Sequence, residues 1–282
     1  MALRRTVPAA LAAALLLILT SCSTGPAPPA KGSPEFLWLA AQETFRTGDY
    51  ERAADHLEAL TKTDNEFRSK AVAMKFVLLA GIAEGYMDLA EHYEFGARAN
   101  KANPTPFRKM VIENRTHASR EAVRLAELAG RLAEITPAGE ITLDFPAPRG
   151  SAAMPPVLLA AAKGTLPSAA EAEQVRKTAI ERGVLLAVCR SAGAPKDAAK
   201  MHETFKAPPV TVKVSQFALG AAEAYFVTSQ LFSRQKLDLP DRERIFLESA
   251  QRFLDKADAG DSRAKDLKKQ LEAAHKQLSR RT

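Results

Sequence analysis

The chain has 282 residues and a formal net charge of +7, with 46% hydrophobic and 26% charged residues. This balance excludes an intrinsically disordered protein and suffices for one large folded domain or two small ones. Basic residues alternate with acidic ones, which is typical of solvated helix faces and disfavours a nucleic-acid surface. With only two cysteines, the fold does not depend on a disulfide framework.

The N-terminus has the features of an export signal. Arg4 and Arg5 precede an apolar run over residues 9–19, which is short for a membrane span but typical of a secretory leader. The run ends in the sequence LTSC, which resembles the lipobox of bacterial lipoproteins. The resemblance implies that residues 1–21 are removed and that Cys22 carries a lipid anchor. An ordinary signal peptide or an uncleaved anchor is the alternative.

Residues 22–32 follow as the lipidated cysteine and a tether rich in Pro, Gly and Ala. Such a segment is extended and semi-rigid, with a reach of roughly 30 Å. Ser23 directly follows the cysteine, at the position where inner-membrane lipoproteins typically have Asp. The lipoprotein resemblance therefore implies an outer-membrane location, with the folded part facing the periplasm.

A helical hairpin is predicted next. Ser33, Pro34 and Glu35 form a helix start, because they supply a capping hydroxyl, a residue that needs no amide partner and an acid at the positive helix end. This helix is predicted to end at about Arg46. The sequence GDY at 48–50 then breaks it, and a second helix is predicted through Leu60.

The segment FLWLAAQETFRTGDYERAADHLEAL resembles a tetratricopeptide repeat. Gly48 permits the turn, Tyr50 wedges between the helices, Ala41 and Ala53 allow close approach, and Leu57 continues the buried stripe. The resemblance implies an all-α fold of antiparallel hairpins, stacked as a TPR-like α-solenoid with a Pro-rich irregular insertion. An ordinary helical hairpin is the alternative.

Further helices are predicted along the chain. Around Gly85, the sequence VLLAGIAEGYMDLAEHYEFG predicts either a second repeat or one helix with an interior glycine for close packing. Residues 107–135 predict a long helix. The predicted regions are a TPR-like part over 33–135, a Pro-rich insertion over 136–167 and a helical part over 168–282.

The insertion and the C-terminal part have distinct patterns. Apolar residues alternate at Ile141, Leu143 and Phe145, and again at Val210, Val212 and Val214, which predicts either paired strands or ordered loops. Helical periodicity predicts helices over 169–191, 196–205 and 217–234, and a closing pair over 241–257 and 262–278.

Signs of chemistry are few. The five histidines lack any metal-ligand spacing, and Cys189 lies in an apolar helix where a thiol is typically a small core group. Residues 233–236 fit the SxxK pattern, but the motifs that accompany it in serine-lysine enzymes are absent. The sequence thus predicts no catalytic residue, no metal and no cofactor.

These observations predict a non-enzymatic, membrane-anchored periplasmic lipoprotein that acts as a helical-repeat scaffold for another envelope protein. Arg46, Glu51 and Asp55 are predicted to face solvent on the hairpin and to bind that partner. The alternative is a ligand-binding or transport-associated helical lipoprotein, in which the Pro-rich insertion lines a pocket.

Overall fold

The computed structural model describes residues 28–135, 139–146, 148, 153–193, 203, 205–206 and 208–281. The leader, Cys22, most of the tether and most of the predicted helix over 196–205 lie outside these residues. The described part contains nine α-helices, one 3₁₀ turn and one two-stranded sheet, so the prediction of a mostly helical protein is confirmed. The elements are α1 (Pro34–Arg46), α2 (Tyr50–Lys62), α3 (Arg68–Ala99), α4 (Thr105–Glu134), β1 (Glu140–Leu143), α5 (Pro156–Ala162), α6 (Ala169–Ser191), β2 (Val210–Lys213), α7 (Val214–Ser229), the 3₁₀ turn (Gln230–Phe232), α8 (Pro240–Leu254) and α9 (Ser262–Leu278).

The α1–α2 hairpin begins and turns as its caps dictate. The Ser33 hydroxyl accepts a hydrogen bond from the Phe36 amide at 3.1 Å, and Pro34 occupies the first turn. Gly48 adopts a φ of +84°, a conformation that favours glycine, and the Asp49 side chain caps α2. The predicted bounds of α1 are confirmed, while α2 continues two residues past its predicted end.

Helix α3 is the centre of the structure. It runs for 32 residues without a break and packs against α2, α4, α5, α6, α7 and β1. Gly85 lies inside this helix, so a second repeat that turns at Gly85 is wrong and the alternative of an interior glycine is confirmed. Gly81 and Gly85 face Gly183 of α6, where the two backbones approach too closely for any side chain.

The alternating segments pair as an antiparallel ribbon. Ile141 lies opposite Val212, and Leu143 lies opposite Val210. Ile141 and Leu143 are buried, and β1 packs on α3, which gives the two short strands the apolar support that an isolated ribbon lacks. The insertion also contains helix α5, which packs on α3.

The C-terminal helices complete a shared core. Helices α6 and α9 have the predicted bounds, and the Ser168 hydroxyl and Glu171 form a capping box at the start of α6. Tyr225 of α7 packs its ring against Phe253 at 5.5 Å and against Phe76 of α3 at 5.8 Å. The apolar core is one continuous cluster of residues from Trp38 to Leu278. All residues of this cluster lie between positions 37 and 278, so the chain from Ser23 onward contains the complete described core.

Candidate functional site

The hairpin residues predicted from the repeat pattern lie together between α1 and α2. Ala41, Ala53 and Leu57 are fully buried. The Tyr50 ring is also buried and meets Phe45 of α1 edge to face, with 5.2 Å between ring centroids. Small residues therefore occupy the close approach of two helices, with one aromatic residue at the turn.

The three residues predicted to bind a partner have different environments. Arg46 is exposed and pairs with Glu43 at 2.6 Å, and Asp55 is 69% exposed and pairs with Arg124 of α4 at 2.8 Å. Glu51, by contrast, is only 34% exposed and accepts a hydrogen bond from the Tyr86 hydroxyl at 2.9 Å. The prediction that Glu51 faces solvent freely is therefore wrong. Its helix position turns it toward α3 and α4, an orientation that the local sequence does not reveal.

Glu51 belongs to a network that joins α2, α3, α4 and α6. Its carboxylate lies 3.4 Å from the guanidinium of Arg120 and 3.4 Å from that of Arg176. Arg176 also donates to the Tyr86 hydroxyl at 3.2 Å. Burial and the neighbouring Glu51 charge raise the pKa of Tyr86 to about 12. The Tyr86 phenol therefore stays protonated at neutral pH and acts as a hydrogen-bond donor.

The network continues along α4 through a buried acid. Glu121 is 1% exposed and accepts hydrogen bonds from Arg120 at 2.7 Å and from Arg124 at 2.9 Å. The hydrogen bond with Glu121 raises the pKa of Arg120. Since Arg124 also reaches Asp55, both arginines connect α2 to α4 while they neutralise the buried carboxylate.

A second ion pair lies between α2 and α3. The buried Lys75 ammonium pairs with Glu58, which also pairs with Lys62 at 2.8 Å. Burial acts to raise the pKa of Glu58, but the two lysines outweigh burial and lower that pKa to about 2. Burial also lowers the pKa of Lys75, against the attraction of Glu58. The ion pair therefore compensates for the burial of both charges, and loss of either partner leaves the other charge poorly solvated.

A notch of about 310 Å³ opens where the hairpin turn meets α6. Its rim carries charges of both signs, including Asp49, Glu51 and Lys177, while Tyr50 and Ile180 supply apolar surface. We call this opening the turn notch. Its lining is Thr47, Gly48, Asp49, Tyr50, Glu51, Arg176, Lys177 and Ile180.

Tyr86, Arg120 and Arg176 are not among the residues predicted from the sequence. Arg176 lies 125 positions from Glu51, so no local spacing relates them. The only signal in the sequence is the excess of arginine on α4 and α6, which by itself is equally typical of a solvated helix face.

Two of the histidines, the buried cysteine and the serine of the SxxK pattern are engaged in packing or in hydrogen bonds within the fold. His117 stacks on Tyr86 at 4.8 Å, His92 contacts the Asp88 carbonyl at 2.7 Å, and Cys189 is buried in α6. Ser233 donates its hydroxyl to the Gln230 carbonyl at 2.8 Å. Among the described residues, no group of three or more His, Cys, Asp or Glu side chains is arranged to hold a metal ion. In the same part of the chain, no helix is both long and apolar enough to cross a membrane.

Comparison of the chain with models of protein families, with curated proteins and with solved structures found no match.

Proposed function

We propose that this chain is a non-enzymatic bacterial envelope lipoprotein, anchored through Cys22 and facing the periplasm, whose TPR-like α1–α2 hairpin binds another envelope protein. The observation that carries the proposal is the turn notch, whose lining combines apolar surface from Tyr50 and Ile180 with side chains of both charges. This composition is typical of the centre and edge of a protein–protein contact. At about 310 Å³, the notch has room for one or two anchoring side chains of a partner.

The order of the surrounding network supports a binding role. Arg176 and Glu51 are both hydrogen-bonded to Tyr86, so the inner wall of the notch is fixed before a partner arrives. A preorganised surface loses less entropy on association than a mobile one. Tyr86, which holds Glu51 and Arg176 of the lining, has a pKa raised to about 12, whereas a general base needs a pKa near the working pH. These features favour binding over catalysis.

The anchor is tested by Cys22→Ala. Without the acceptor sulfur, we expect an unprocessed precursor or a form released from the lipid anchor, detected by mass spectrometry and by fractionation of envelopes with and without detergent. A variant with the mature mass and unchanged detergent dependence would contradict the lipoprotein proposal.

The partner surface is tested by site-directed photo-crosslinking in intact envelopes. A photo-reactive residue at Thr47 or Lys177, both on the turn notch, should yield a defined crosslinked product, while one at exposed Lys276 of α9 should not. Arg46→Glu combined with Lys177→Glu should reduce the product at Thr47, because both positions are exposed and their reversal leaves the core intact. Equal products from Thr47 and Lys276, or no effect of the reversal, would place the partner elsewhere.

A further inference from the structure

A larger cleft opens at the C-terminal end of the central helix, between the last turns of α3 and the first half of α4. Its volume is about 750 Å³. Helix α3 contributes Glu94 and Arg98, α4 contributes Arg108 and Arg115, and Lys101 extends from the loop that joins the two helices. We call it the α3–α4 cleft. It shares no residue with the turn notch.

The charge of the α3–α4 cleft is unbalanced. Four cationic side chains and one carboxylate line it, and both oxygens of that carboxylate, Glu94, are occupied by Arg98 and Arg115 at 2.8 Å each. Lys101 and Arg108 have no acidic partner among the described residues. The Nε atom of Arg115 is buried and has no acceptor in the same part of the chain. The accessible cations Lys101 and Arg108 therefore give the cleft positive charge that no carboxylate of the described residues neutralises.

Apolar surface runs beside these cations. Val111 and Ile112 form part of the α4 wall, and Ile112 is 67% exposed, the largest value among the exposed large hydrophobic residues described. Next to the cleft, Phe95 is 44% exposed and lies under the guanidinium of Arg98, 5.6 Å from the ring centroid. Exposed apolar groups beside uncompensated cations suit a ligand with one anionic end and one apolar end.

We infer that the α3–α4 cleft binds a single-chain anionic amphiphile, with its acidic headgroup at Lys101 and Arg108 and its chain along Val111 and Ile112. The volume falls within the range of pockets for small ligands, roughly 300–1,000 Å³. Lys101 and Pro104 belong to the loop that joins α3 to α4, and both line the cleft. This loop therefore closes the cleft on one side. A bounded cleft suits a short molecule with a terminal charge better than a peptide that must continue in both directions.

Calorimetry with decyl phosphate, below its critical micelle concentration, tests the inference on the chain from Ser23 onward. We expect one molecule bound per chain, with affinity that falls as salt rises. Lys101→Glu combined with Arg108→Glu should weaken binding at least tenfold, because both side chains are exposed and the reversal replaces two attractions with two repulsions. Lys109→Glu combined with Lys276→Glu is the matched control, since it changes net charge equally outside the cleft and should alter affinity less than twofold.

Two further ligands and one variant test the headgroup and the chain of the proposed ligand separately. Inorganic phosphate and decyltrimethylammonium should each bind at least tenfold more weakly than decyl phosphate, since one lacks the chain and the other has the wrong charge. Ile112→Gln should weaken decyl phosphate binding and leave circular dichroism unchanged, because the residue is exposed. The inference is overturned by equal binding of inorganic phosphate, by an unaffected double reversal, by binding to phosphatidylglycerol vesicles alone, or by tighter binding of an acidic peptide.

These outcomes are independent of the proposed partner surface. The variants alter residues of α4 and its preceding loop, whereas the partner experiments alter the turn notch. Failure of either proposal therefore leaves the other standing.

Discussion

Replacing Gly183 with alanine tests the close contact between α3 and α6. A methyl group on Gly183 would overlap the carbonyl oxygen of Gly81 and lie 2.8 Å from the amide nitrogen of Gly85. Ordinary contacts need about 3.5 Å, and both neighbours are backbone atoms that cannot rotate away. Overpacking of this kind costs about 3 kcal/mol, at the upper end of its usual range. Alanine regains about 1 kcal/mol through its higher helix propensity, so the net loss is about 2 kcal/mol.

The matched control is Gly130→Ala near the C-terminal end of α4, where nothing lies within 4 Å of an added methyl group. Here only the helix propensity changes, so stability should rise by about 1 kcal/mol. For a domain of this size, thermal unfolding should show a melting temperature about 4–8 °C lower for Gly183→Ala and about 2–4 °C higher for Gly130→Ala. A Gly183→Ala protein that melts at or above the wild-type temperature would refute the close packing of α3 on α6.

Three other outcomes are expected from urea unfolding of the same chain. Ala53→Trp should lower the free energy of unfolding by several kcal/mol because it overpacks the hairpin, while Ala59→Trp on the exposed face of α2 should change little; equal stabilities would contradict the packing. Glu58→Gln should cost about 3 kcal/mol because it leaves the Lys75 ammonium buried and unpaired, and adding Lys75→Met should recover most of it; no recovery would exclude a dominant charge effect. The loss from Glu58→Gln should shrink as the pH falls from 4.5 to about 2. In this range the wild-type carboxylate is protonated in the unfolded chain but still ionised in the folded one, so the stability that it contributes declines. A loss that stays constant with pH would disagree with the lowered pKa of Glu58.

The parts of the fold that follow from local chemistry could be predicted. Ser33 and Pro34 start α1, Ser168 with Glu171 starts α6, and Gly48 ends the first helix with a positive φ. Each of these signals acts within about four residues, so the sequence contains all the information that is needed. For the same reason the bounds of α9 follow from its periodicity.

Contacts between distant segments could not be predicted. The sequence around Gly85 is compatible both with a turn and with a helix that packs closely on another helix. The close contact with Ala179 and Ile180 of α6, far along the sequence, distinguishes the two. The pairing of β1 with β2 likewise depends on distant elements, because α3 packs on β1 and α7 packs on both strands. The sequence of α2 predicts that Glu51 faces solvent, and it does not reveal the inward orientation because the partners of Glu51, Tyr86 and Arg176, come from other helices. Helical periodicity indicates which face of a helix is buried, but it does not indicate which other helix or strand covers that face.

The central helix also sets the geometry of the two proposals. Trp38 of α1 stacks on Phe67, just before α3, with 5.5 Å between ring centroids, so the chain enters the folded part near the first turn of α3. The α3–α4 cleft lies at the last turns of the same 32-residue helix, about 48 Å long. The turn notch lies between them, because Glu51 contacts Tyr86 in the second half of α3. On the proposal that Cys22 carries the lipid, the anchor joins the folded part at its entry end, and the α3–α4 cleft lies at the other end of α3. We therefore expect a soluble amphiphile to reach the cleft more readily than a lipid still in the bilayer.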